Sequence, residues 1–321
     1  MRAVRVTRPD GPSAVTVADV PEPEPGTGVL IEVAAAGVSF PDLLMSKGRY
    51  QVQPDPPFTL GLEAAGRVLD APAGSALRPG DRVAAFALGA FAERFVAPEE
   101  STFPLPDELT DEQGAGLIMN YQTAHFGLHR RGGLRAGEVV LVHGAAGGVG
   151  TAAIQVARGL GARVIGVVST GEKAAVAARA GAHDVVLAGD WAAEVRKLTG
   201  GRGVDVVYDP VGGERTGESL RLLTQEGRLI VIGFADGAIP SLALNRVLLR
   251  NVSVIGAAWG HFVDTRPEVS RAIADDLARM AREGTVAPLV GPAFPLEDAA
   301  AALAALDDRR ATGKVVLRTA R

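Results

Sequence analysis

Up to about residue 118, apolar and polar positions alternate in short runs: Ala3 to Thr7, Ala14 to Ala18, Val29 to Ala34, Gly66 to Val68, Arg82 to Ala85 and Phe91 to Val96. Turn-forming clusters such as PEPEPGTG and APAGSALRPGD separate them. A period of two broken by Gly and Pro predicts half-buried antiparallel strands. From about Leu109 the period lengthens, and Asp111 to Tyr121 and Tyr121 to Arg131 read as two helices, the second stopping at Gly132-Gly133. Beyond Glu138 come apolar runs with no alternation: Val139 to Val142, Val164 to Val168, Val185 to Leu187, Val204 to Tyr208, Arg228 to Ile232 and Val252 to Ile255. Helical patterns at about 149–159, 171–181, 190–199, 214–224 and 241–249 lie between them. Such runs belong to strands buried on both faces of one parallel sheet with right-handed crossovers. The tail holds a helix from Glu268 to Arg282, a strand near Ala287 to Phe294, a helix from Leu296 to Leu306 and a strand from Lys314. It cannot extend the sheet without another long crossover, so it is expected to fold back on the first part. The fold class is therefore α/β, a doubly wound parallel sheet over 120–257 with a β-rich domain built from both chain ends, 1–119 and 258–321.

The stretch EVVLVHGAAGGVG, Glu138 to Gly150, joins the first buried strand to the first helix of that sheet. Its spacing follows G-x-G-x-x-G, with Ala145, Gly147 and Gly150 at the three glycine positions. A turn without side chains lets backbone approach a ligand, and the free N–H groups that open a helix attract negative charge. A diphosphate suits that place, with Gly144, Ala145, Ala146, Gly147, Gly148 and Val149 as its contacts. A nucleotide triphosphatase loop is disfavoured, because no lysine stands before Thr151 to reach a terminal phosphate. Ligands of such sheets sit beyond the carboxyl ends of the strands, which here carry Ser169-Thr170, Asp209 to Gly212 and Gly233-Phe234-Ala235, adding Val211, Gly233, Phe234 and Ala235 to the candidate site.

The second strand ends in Ser169 and Thr170, where a cofactor without a ribose phosphate usually meets a carboxylate. Lys173 follows within one turn, so a 2′-phosphate would meet hydroxyls and an ammonium, which favours NADPH, although Glu172 shares that turn.

Composition narrows the remaining classes. A hydrophobic share of 47% over 321 residues supplies ample core, and no apolar run reaches membrane-span length. Net charge is −4 with dispersed basic residues, which leaves no electrostatic footprint for nucleic acid or an anionic membrane. The chain has no Cys, which excludes disulfides, thiolate zinc and a cysteine nucleophile, and the opening MRAVRVTRPDG lacks the apolar core of a signal peptide. A cytoplasmic location is the default expectation.

In family order the chain carries GVSFPDLLMSKGRYQ, PFTLGLEAAGRV, GAFAERFVAP, NYQTAHFGL, VHGAAGGVG, DVVYDPVGG, GRLIVIGFADG and GKVVL. Over its full length it resembles the zinc-free quinone oxidoreductase branch, related to ζ-crystallin, of the medium-chain dehydrogenase/reductase superfamily. The resemblance implies a GroES-like substrate domain from both chain ends, a Rossmann domain between them, and a homodimer joined through NVSVIG, the last strand of the sheet. Zinc-bearing relatives place Cys where this chain has Val38 or Ser39 and His where it has Leu62, so no metal is expected. Without that Lewis acid, hydride delivery to an already electrophilic acceptor is favoured over alcohol oxidation. His125 and His129 are four apart on a helix and could pair on a metal, but Phe126 breaks the zinc-protease pattern.

A quinone or enone accepts hydride once stacked on nicotinamide, so the protein mainly positions and desolvates. Candidate donors to the developing oxyanion are Ser39, Asp42 and Tyr50, with Thr123 and Asn120 bordering the nicotinamide. Each also has a structural reading: Ser39, Pro41 and an ionised Asp42 start a helix, Tyr50 packs, Thr123 is a helix-face hydroxyl and Asn120 caps a turn. Arg310 matches a family arginine near the cofactor and also suits the surface. Trp259 and Phe234 line the acceptor slot or the core. Three functions fit: an NADPH:quinone reductase, an enoyl or alkenal reductase with Tyr50 as proton donor, and a non-catalytic NADPH-binding protein.

Overall fold

A computed structural model describes residues 1–319. The chain divides into two compact units, the first formed by Met1–Met119, Arg266–Arg282 and Ala287–Arg321, the second by Asn120–Thr265 and Glu283–Val286. The second unit runs on to Thr265, past the break expected at 257, because Trp259–Val263 forms a short helix whose Phe262 packs on Phe126.

The second unit is a six-stranded parallel sheet. Its strands in chain order are Val139–Val142, Arg163–Val168, Asp184–Leu187, Val204–Asp209, Leu223–Val231 and Ser253–Gly256. Their spatial order is 3-2-1-4-5-6, the Rossmann order, which reverses between the first and fourth strands. Val139–Val142 is buried at every position, as a run without polar alternation requires. Helices Gly148–Gly159, Gly171–Ala180, Trp191–Leu198, Arg215–Leu222 and Leu244–Arg250 connect the strands.

One expectation is corrected here. Instead of two α-helices over Asp111–Arg131, a single α-helical turn at Asp111–Gly114 is followed by a helix with π-helical turns at Leu117–Gln122 and Phe126–Arg131. The wider turn is carried by bonds such as Gly132 N–H to Gly127 O at 2.8 Å. These glycines let the helix lie directly on the sheet: a Cβ at Gly132 would stand 2.5 Å from Ile230 Cδ1, and one at Gly127 3.0 Å from Ile232 Cδ1.

The first unit holds a seven-stranded and a three-stranded sheet. The closing strand Lys314–Arg318 pairs antiparallel with Val29–Val38, so the tail does return to the N-terminal strands. Helix Pro267–Arg282 buries Val269, Ile273, Leu277 and Met280, a one-sided stripe. No helix among the described residues is long and apolar enough to cross a membrane.

Candidate functional site

In the second unit the first strand ends at Val142, His143 follows it, and Gly144 turns the chain with φ 59°. Gly147 donates its N–H to Gly144 O at 3.0 Å and accepts from Thr151 N–H at 2.9 Å, which closes the turn onto helix Gly148–Gly159. The third glycine is needed for that closure, since a Cβ at Gly150 would lie 2.1 Å from Gly144 O. A Cβ at Gly147 would meet nothing closer than Gly144 O at 3.5 Å, so the protein leaves space above the turn. Gly148 and Val149, in the first helical turn, have N–H groups with no intrahelical acceptor, half exposed and at the positive end of the helix dipole. This cradle fits a dinucleotide diphosphate.

Ala145, expected to face the ligand, turns inward instead. Its N–H donates to Val167 O at 3.1 Å and its methyl is fully buried. The methyl is tolerated because Gly166 stands opposite, where a Cβ would be 2.9 Å from that of Ala145.

Ser169 and Thr170 are exposed at the end of the second strand. Thr170 Oγ1 accepts the N–H of Lys173 at 3.3 Å and so caps helix Gly171–Ala180, while Lys173 itself is half-buried. Val211 and Gly233 are half-buried, and Ala235 and Phe234, the latter at 38% accessibility, lie open at the surface. Asn120 and Thr123 are half-buried on the helix that carries the π-helical turns, and its Tyr121 hydroxyl donates to Gln155 Oε1 at 2.9 Å on the helix that follows the glycine turn. His125 is buried with its ring edge-on to His129, centroids 5.1 Å apart.

Sequence reasoning passed over His143. It is fully buried, its Nε2 lies 2.8 Å from Ser219 Oγ, and its ring meets Trp191 edge-on. Ser219 donates its only proton to Arg215 O at 2.9 Å, so Nε2 of His143 is the donor between the two. Burial lowers its pKa to about 4, so it stays neutral at physiological pH.

In the first unit Ser39 and Asp42 start helix Phe40–Ser46, and the Asp42 carboxylate accepts the Ser39 N–H at 2.7 Å. The Ser39 hydroxyl is not the free donor expected: it donates to Glu63 Oε1 at 3.2 Å and accepts from Lys314 Nζ at 2.6 Å. Lys314 also pairs with Glu63, both charges buried, and Glu63 Oε2 accepts the Met119 N–H at 2.9 Å. This cluster was missed because Glu63 and Lys314 are 251 residues apart. The available signal was a charged residue opening each of two buried strands. Tyr50 is half-buried with its ring on the first unit's core, and Arg310 is exposed and paired with Asp308 at 2.6 Å.

Asp42 is buried with Oδ1 lacking a partner among the described residues, and desolvation pushes its pKa up to about 7 against the Ser39 N–H and the Lys314 charge. It is therefore partly protonated at neutrality, not simply ionised. The folded protein holds this proton more tightly than the unfolded chain. The associated stability is full below the ordinary aspartate range and falls as pH rises toward about 7, by roughly 4 kcal/mol at most. Asp42→Asn keeps an acceptor for Ser39 and carries no charge. Melting temperatures from pH 4 to 8 should fall less steeply for it than for wild type, and parallel curves would exclude Asp42 as the source.

Comparison with known proteins agrees with this architecture. The model described as alcohol dehydrogenase GroES-like domain matches residues 25–107, and that described as zinc-binding dehydrogenase matches 148–275. The quinone oxidoreductase-like protein 2 of Bos taurus is 37% identical over 303 residues, 92% of this chain and 86% of the relative. Escherichia coli quinone oxidoreductase, solved in complex with NADPH, superposes with a TM-score of 0.90 at 29% identity, covering 99% of this chain and 100% of its own. The quinone oxidoreductase of Thermus thermophilus, also solved with NADPH, gives 0.84 at 37% identity over 99% and 100%. The chain belongs to the medium-chain dehydrogenase/reductase superfamily of oxidoreductases, in its quinone oxidoreductase branch.

Proposed function

We propose that the protein is an NADPH:quinone oxidoreductase. The observation that carries the reading is the open glycine turn joined to a second strand that ends in Ser169 and Thr170, with Lys173 one turn on. Gly148 and Val149 N–H groups hold the diphosphate, and Ser169, Thr170 and Lys173 take the 2′-phosphate. The bound nicotinamide supplies hydride. The chain's own task is orientation and exclusion of water, with the Ser39 hydroxyl committed to Glu63 and Lys314 rather than offered to the reduced oxygen. The relatives named as quinone oxidoreductases support the acceptor class.

The test is NADPH and NADH consumption against a panel of quinones and enones. Quinones should turn over, with kcat/KM for NADPH about tenfold or more above that for NADH, and Lys173→Ala should narrow that ratio through KM. Turnover of enones alone overturns the quinone assignment, and tight NADPH binding without oxidation by any acceptor makes the protein a binder.

The same reading includes a homodimer. Helix Leu244–Arg250 buries none of its residues, with Leu244, Leu248 and Leu249 at 78%, 73% and 77% accessibility. Beside it the edge strand Ser253–Gly256 pairs, among the described residues, only with Leu223–Val231, leaving one side open. An uncovered apolar helix and an open strand edge suit a second copy. Sedimentation at micromolar concentration should give a dimer for wild type and a monomer for Leu248→Asp. A wild-type monomer would exclude the interface. We place the enzyme in the cytoplasm, which cell fractionation tests.

A further inference from the structure

Beyond the glycine turn, two more turns lie at the carboxyl ends of the strands, and one buried carboxylate organises them. Asp209 ends the fourth strand, is 2% accessible and has no cation in salt-bridge contact among the described residues. Its Oδ1 accepts the N–H groups of Val211 and Gly212, both at 2.9 Å, and Thr216 reaches Oδ2 at 3.4 Å. Two backbone donors on one oxygen bend the chain sharply, and Gly212 and Gly213 follow at φ 69° and 70°.

That bend is the piece on which its neighbours rest. Ala235 N–H donates to Pro210 O at 3.1 Å and Asp236 N–H to Val211 O at 2.9 Å, so the turn after the fifth strand hangs on carbonyls that Asp209 sets. On the other side Val211 packs toward the glycine turn, since a Cβ at Gly144 would be 3.2 Å from Val211 Cγ2. Three turns on three strands therefore share one register, held at Asp209.

We propose that Asp209 is a positioning residue for the nicotinamide half of the cofactor. The inference rests on the function proposed above. With the diphosphate over the first turn and the adenosine ribose at the end of the second strand, the rest of the dinucleotide runs toward the fourth and fifth strands, across the point where the strand order reverses. Asp209 touches no ligand in this scheme. It fixes the backbone around Val211 and Gly233 to Ala235 on which the nicotinamide half lies.

The test is titration of wild type, Asp209→Ala, Asp209→Asn and Asp209→Glu with NADPH and with 2′,5′-ADP, which carries only the adenosine half. Asp209→Ala should bind NADPH about tenfold or more weakly, with 2′,5′-ADP affinity unchanged. Asp209→Asn keeps an acceptor for both N–H groups and should stay within about threefold of wild type for both ligands. Asp209→Glu keeps the charge but displaces the acceptor, so it should fall below Asp209→Asn for NADPH only. If Asp209→Ala does not fold, the order of the Asn and Glu variants decides, and the reverse order overturns the proposal. Parallel loss of both ligands, or unchanged NADPH affinity in Asp209→Ala, also overturns it while leaving the reductase reading intact. Wild-type protein that binds neither ligand removes both.

Discussion

Gly150→Ala should lose NADPH affinity by about a hundredfold, close to 3 kcal/mol. The added Cβ would fall 2.1 Å from Gly144 O, a backbone atom with no rotamer to move, so the turn and helix Gly148–Gly159 must separate by an ångström or so. Separation breaks the Thr151 to Gly147 bond and re-aims the Gly148 and Val149 N–H groups. Gly147→Ala is the informative contrast. Its Cβ has no protein atom nearer than 3.5 Å and its φ of −80° suits any residue, so melting temperature should hold while NADPH affinity drops about tenfold as the methyl intrudes on the ligand. Calorimetric titration of both variants checks this. Gly150→Ala binding within threefold of wild type would falsify the role of the turn as the diphosphate cradle.

The contrast between Gly147 and Gly150 also shows what a sequence can carry. The strands of the parallel sheet were legible because burial on both faces leaves an unbroken β-branched run, as in VVLV. The return of the tail was legible because extending the sheet would have needed a further long crossover. Local pattern did not reveal that Ala145 faces inward, which depends on Gly166 of the next strand lacking a side chain, or that Ser39 is already engaged by two charges. Nor did it reveal the π-helical turns, which follow from the close approach of Gly127 and Gly132 to the sheet. Each of these is a tertiary juxtaposition with no periodic trace. The same limit applies to Asp209, which in DVVYDPVGG reads as an ordinary strand end until its two N–H partners are seen.

Lys314→Met should destabilise the protein by about 3–5 kcal/mol, because it leaves the Glu63 carboxylate buried without its counter-charge. Shape is nearly conserved in this change. The lysine stem runs between Gly37 and Gly116, where added Cβ atoms would lie 2.6 Å from Lys314 Cε and 2.9 Å from its Cγ, and a methionine occupies the same channel. The loss is therefore electrostatic rather than a cavity. Glu63→Gln separates the parts further, since its amide oxygen can still accept the Met119 N–H while the charge is gone. Alone it strands the ammonium and should cost a similar amount. Combined with Lys314→Met it should recover more than half of the loss, because two buried charges are then removed together rather than one left behind. Urea midpoints of the two single variants and the double variant measure the coupling directly. Additive losses would mean that the two residues act separately, with the strand Lys314–Arg318 held to Val29–Val38 by its ladder and apolar side chains alone.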